Sequence, residues 1–148
     1  MKHLLNSLAL VLVGVLTVPI ALAQEKLGPV LDRNPTKLDR DDVRLLLAGT
    51  KIVFTSTNPF VNAYVENNWD LGADGSISAL QMRHAGPIRG TGKWHVRDDG
   101  KWCIDIDWPR ANQSVCYWFF KVGDEYWTAS SDRDRDAVAI RRKITRRS

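Results

Sequence analysis

Gly92-Lys93-Trp94-His95-Val96-Arg97-Asp98-Asp99-Gly100-Lys101-Trp102-Cys103-Ile104-Asp105-Ile106-Asp107 is the stretch on which the fold turns. Polar and apolar residues alternate on both sides of Asp98-Asp99-Gly100, the pattern of two half-buried strands around a hairpin turn. A three-residue turn with Gly100 left-handed pairs Arg97 with Lys101. That register sets Val96 opposite Trp102, Trp94 opposite Ile104 and Lys93 opposite Asp105. A two-residue turn on Asp99-Gly100 would set Trp94 against Asp105 and Arg97 against Trp102. One residue of slip exchanges the two faces of a strand, so the register that keeps apolar against apolar is preferred.

Cys103 and Cys116 are the only cysteines. Bridging them predicts the next hairpin, with Ile104 opposite Val115 and Trp102 opposite Tyr117. One face of the ribbon then carries Trp94, Val96, Trp102, Ile104, Ile106, Val115, Tyr117 and Phe119, the expected core. A tight turn at Gly123-Asp124 pairs Phe120 with Trp127, so Trp118, Phe120 and Trp127 gather on the opposite face. Two readings fit that cluster: cover from the helix or the lead-in, or an exposed aromatic surface for a ligand or partner.

Outward from this centre, strands are expected at 51–55, 62–70, 76–84, 92–97, 101–107, 114–122, 125–130 and 137–144, separated by turn residues. Short, regularly spaced strands of this kind make a mainly β fold, an antiparallel meander forming a small barrel or half-barrel. One short N-terminal α-helix precedes it over 40–48. Asp39 is its N-cap, Asp41 and Asp42 favour its positive end, Val43, Leu46 and Leu47 form its apolar stripe, and Gly49 stops it. Residues 24–37, with Gly28, Pro29 and Pro35, read as an extended lead-in.

Residues 1–23 have the parts of a signal peptide: Lys2, an apolar run over 8–20, and Ala21-Leu22-Ala23 before a cut at Gln24. The chain is therefore expected to be periplasmic or secreted, with no transmembrane span after signal removal and one disulfide-bridged domain over 38–148. Net charge is +4, but Arg141, Arg142, Lys143, Arg146 and Arg147 crowd the end and the body is mildly acidic. No nucleic-acid footprint results. The basic end reads as a solvated terminus or as contacts to anionic envelope material.

Constellations for chemistry are sparse. The segment 70–81 resembles a calcium loop, but Gly72 and Gln81 stand where oxygen ligands are needed. Asp132, Asp134 and Asp136 alternate with Arg133 and Arg135, which reads as a loop with internal charge compensation. Asp105 and Asp107 share a face at about 7 Å, a spacing seen in paired glycosidase carboxylates. His84 and His95 lack metal-ligand spacing, and no nucleophile elbow or phosphate loop appears. No metal and no cofactor are expected. The leading function is an exported non-catalytic protein binding an envelope component or a protein. The alternatives are a hydrolase acting on envelope polysaccharide through Asp105 and Asp107, or a protein inhibitor of a hydrolase.

Several short pieces carry a family resemblance in combination: Leu38-Asp39 to Gly49-Thr50, Asp74-Gly75-Ser76-Ile77 and Gly92-Lys93-Trp94-His95-Val96. Asp99-Gly100-Lys101-Trp102-Cys103, Cys116 and Gly123-Asp124-Glu125-Tyr126 complete the set. The chain resembles the small exported bacterial proteins grouped as domain of unknown function 995. The resemblance covers most of 38–130 and implies a β-meander with one bridge. It brings no established activity.

Overall fold

Residues 24–58 and 63–146 are described by a computed structural model. The order is β1 (Gln24–Lys26), α1 (Leu27–Leu31), β2 (Thr36–Lys37), α2 (Arg40–Leu47), β3 (Thr50–Asn58), β4 (Ala63–Leu71), β5 (Ser76–Arg83), β6 (Gly86–Val96), β7 (Trp102–Trp108), β8 (Ala111–Val122), β9 (Glu125–Ala129) and β10 (Val138–Arg146). From β3 to β10 each strand pairs antiparallel with the next, and β10 returns to β3. The expected meander is thus a closed eight-stranded barrel. Closure removes the free edges that an open sheet would present.

The central hairpins have the expected registers. Lys93 faces Asp105, Trp94 faces Ile104 and Val96 faces Trp102. The Arg97 N–H donates to the Lys101 carbonyl at 2.9 Å, and Gly100 has φ 95°. Cys103 and Cys116 are bonded directly across β7 and β8, with Cα atoms 4.0 Å apart. Inside the barrel Trp94, Val96, Trp102, Ile104, Ile106 and Phe119 are buried together, with Val115 and Tyr117 packed against them. Phe54, Trp69 and Trp102 form a chain of tilted and edge-on ring contacts through the centre.

Helix α2 plugs one end. The Asp39 carboxylate accepts the Asp42 N–H at 2.9 Å, and Val43 and Leu47 are wholly buried in the barrel core. Arg40 pairs with Asp98 at 3.0 Å, fixing the start of α2 against the β6–β7 turn. Among the described residues the opposite end has no such helix.

Strand β6 departs from expectation by starting at Gly86 rather than near residue 92. Pro87 and Gly90 interrupt the strand pattern in sequence. In the barrel, Gly90 and Gly92 instead make room for the neighbouring strand.

The lead-in is not simply extended. β1 pairs with β10 and β2 with β8, and the short helix α1 lies between them. Pro29 fits because the first turn of a helix leaves its N–H groups without intrahelical partners. Leu27 and Val30 are wholly buried against Phe120, Trp127, Ala129 and Ala139, a second core on the outside of the barrel.

Charge pairs fasten this cover: Lys26 with Asp136 at 2.7 Å, Lys37 with Asp132 at 2.8 Å, and Arg135 with Asp32 at 2.7 Å. Arg33 pairs with Glu25 and reaches Glu125 at 3.8 Å. The acidic loop is therefore compensated largely from the lead-in rather than internally. Hydrogen bonds from Lys26, Lys37 and Arg141 hold the Asp136, Asp132 and Glu125 carboxyls below their ordinary range. A carboxyl depressed in the fold stabilises above its unfolded pKa, about 4, and that contribution fades as pH falls through the folded values. The amides of Leu27 and Val30 are expected to keep their exchange protection down to about pH 4 and to lose it progressively below. Protection unchanged at low pH would show that these pairs do not hold the cover down.

Candidate functional site

The barrel end remote from α2 opens into a cavity of about 1130 Å³. Eight strands leave an interior just wide enough for packed side chains or one small ligand. Here the two halves differ in filling. Toward α2 the inward residues are large and apolar: Ile52 and Phe54 on β3, Leu71 and Trp69 on β4, Ile77 on β5 and Phe119 on β8. Toward the mouth the same strands present Ser56, Asn67, Gln81 and Gln113, and β6 contributes Gly90. Small and polar residues at inward positions keep that half from closing into a core.

Val65, Ile88 and Trp108 supply apolar wall, and Arg83, Arg89 and Arg110 stand at the rim, with no carboxylate among the described lining residues. The amides are tied in place. Asn67 is buried; its Nδ2 donates to Ser56 Oγ at 3.1 Å, and its Oδ1 accepts from Gln81 Nε2 at 3.0 Å. Trp108 Nε1 donates to Gln113 Oε1 at 3.0 Å.

One layer deeper lies Arg142, only 2% exposed. Its Nε donates to Thr128 Oγ1 at 2.8 Å. The guanidinium carbon lies 3.7 Å from the Phe54 ring centre, 5.4 Å from Tyr117, 5.8 Å from Trp102 and 5.9 Å from Trp69. Nη1 and Nη2 meet no hydrogen-bond acceptor among the described residues, and neither do the buried indole Nε1 atoms of Trp69 and Trp102. Burial pulls the guanidinium pKa down to about 10, opposed by the Tyr117 side chain, whose hydroxyl lies close enough to favour the charged form without making a hydrogen bond. The group therefore remains a cation at neutral pH.

This corrects the reading of the basic end as one solvated or anion-binding cluster. β10 is a barrel strand, so its successive residues face opposite ways. Arg142 points inward with Ile140 and Ile144, whereas Arg141 pairs with Glu125 at 2.7 Å. Lys143 and Arg146 are exposed. Arg147 lies outside the described residues.

The proposed aromatic surface is also corrected. Phe120 and Trp127 are each 2% exposed beneath α1. Trp118 is half-buried, with Lys37 Nζ 4.3 Å and Lys101 Nζ 5.2 Å from its ring centre. Exposed apolar residues nearby would have been needed for a docking face, and the lead-in covers them instead. Asp105 and Asp107 are exposed on the outer face, where Asp105 accepts from Ser114 Oγ at 2.5 Å. Asp107 borders only a shallow depression of about 280 Å³. Among the described residues no group of three or more His, Cys, Asp or Glu side chains could hold a metal ion, and the calcium-like segment is a tight turn in which Asp74 accepts from Ser76.

Sequence reasoning missed the mouth because its residues come from three separate hairpins. A signal for Arg142 was present in the alternation Ile140, Arg142, Ile144. No family model, curated protein or solved structure matches this chain.

Proposed function

We propose that the chain is an exported, non-catalytic binding protein that receives one small amphipathic molecule in the open end of its barrel. The carrying observation is the cavity of about 1130 Å³ at the end opposite the α2 plug, walled by Val65, Ile88 and Trp108 and rimmed by arginines. A concave, mainly apolar site with a few fixed polar groups is the usual form of a small-molecule site. The leader-like segment 1–23 and the Cys103–Cys116 bridge support export into an oxidising compartment. No helix among the described residues is long and apolar enough to cross a membrane. Membership in domain of unknown function 995 belongs to the same proposal and rests on the motif series. The hydrolase alternative loses support because Asp105 and Asp107 face away from the cavity.

The test uses 1-anilinonaphthalene-8-sulfonate, which pairs an apolar ring system with one anionic group. Saturable binding of one molecule per natively folded chain is expected. Trp108→Ala should weaken it about tenfold or more, as loss of an aromatic anchor does. Trp118→Ala, outside the barrel, should leave it unchanged. Absence of saturable binding, or equal sensitivity to both substitutions, overturns the reading.

A further inference from the structure

Four donor groups in the barrel interior make no hydrogen bond to the described residues: Nη1 and Nη2 of Arg142 and the indole Nε1 of Trp69 and Trp102. Buried polar groups are nearly always hydrogen-bonded, so an orphaned cluster needs an explanation. Every member is a donor, and one carries a full positive charge. Aromatic faces attract a cation but offer no lone pairs in the plane of its N–H groups, and the Tyr117 hydroxyl, which favours the charged guanidinium, is a single neutral oxygen. Water would satisfy the donors and leave the charge uncompensated.

The donors lie just below the cavity. Phe54, against the guanidinium, is the next inward residue on β3 after cavity-lining Ser56, about 7 Å along the strand. On β8 the inward series Gln113, Val115 and Tyr117 runs from the cavity wall to the guanidinium, and all three remain partly exposed. The cavity lining itself ends at Ser56 and Gln113, and the donors are sealed from solvent, so an acid group reaches them only as Val115 and Tyr117 give way. A carboxylate, with about four acceptor sites and one negative charge, complements the cluster.

We infer that the barrel binds an elongated, singly charged organic acid, its acid group at Arg142 and its apolar chain toward the mouth. This rests on the reading of the open end as the ligand entrance. The rim arginines would attract such an anion, so the experiment must separate rim from interior.

Decanoate and decanol share a chain and differ in charge. By isothermal titration calorimetry, decanoate is expected to bind about 30-fold more tightly than decanol, the scale of a charge-assisted hydrogen-bond pair. Arg142→Met should bring the two within about threefold while leaving decanol affinity unchanged. The double variant Arg83→Gln/Arg89→Gln should keep the preference. If the Arg142 variant does not fold, the wild-type protein still decides: decanoate, and not decanol, should shift the ¹⁵N-indole resonances of Trp69 and Trp102. Equal affinities, unshifted indoles, or a preference lost with Arg83 and Arg89 but kept in Arg142→Met would overturn the inference and leave the entrance standing. Failure of both ligands to bind would remove the entrance reading, and the inference with it.

Discussion

Gly92→Ala is expected to destabilise the protein by about 3 kcal/mol or more, toward the upper end of single-substitution effects. Gly92 faces Ile106 across β6 and β7. A Cβ there would stand 1.9 Å from the Asp105 carbonyl oxygen and 2.8 Å from the Ile106 Cα. Both are backbone atoms and cannot rotate away. Relief requires β6 and β7 to separate, beside the ladder that the Cys103–Cys116 bridge anchors. Gly90→Ala makes the useful contrast. Its Cβ would meet Ile106 Cγ2 and the Trp108 ring at 2.8 Å, side chains that can shift, so a cost nearer about 1 kcal/mol is expected. Urea unfolding should show a lower midpoint for Gly92→Ala with an unchanged slope. A wild-type midpoint would mean that the two strands do not approach so closely in the native protein.

The central ribbon was legible because its constraints are local. Alternation, a turn that demands a left-handed Gly100, and one possible cysteine pair fix the register from Lys93 to Tyr117 with no reference to the rest of the chain. Helix α2 was legible for the same reason: its cap, acidic first turn and stripe are neighbours in sequence. The first half of β6 was not, because Pro87 and Gly90 look like breakers until the neighbouring strands are in place beside them. Nor was α1, whose apolar residues Leu27, Val30 and Leu31 gain meaning only from the Phe120–Trp127 face they cover. The mouth was the least legible part. Ser56, Val65, Gln81 and Gln113 are ordinary residues on separate strands, and a cavity is a property of what does not fill the space between them. Arg142 is intermediate. Period-two alternation places it inside, but a charged residue is so seldom fully buried that the pattern is readily discounted.

Arg142→Met is expected to raise stability at neutral pH by about 2 kcal/mol. Taking a guanidinium out of water costs several kcal/mol, and here no carboxylate repays it. The Thr128 hydrogen bond and the four surrounding rings offset part of that cost. Methionine occupies a similar path with a thioether suited to aromatic contacts, and it leaves neither charge nor orphaned Nη groups. The pH dependence carries a definite sign. Folding lowers the guanidinium pKa to about 10 from 12.5, so the folded state holds that proton less tightly than the unfolded one. The wild-type handicap is complete below the folded value and shrinks only as pH rises through it. The gap between variant and wild type should therefore stay flat from pH 6 to pH 9. Decanoate should narrow the gap, since it binds the wild type more tightly than the variant and a ligand stabilises a fold more the more tightly it binds. A variant less stable than wild type would instead make Arg142 a structural member of the aromatic cluster. A more stable variant that no longer prefers decanoate would show a charge kept inside the barrel, against stability, for the acid it binds.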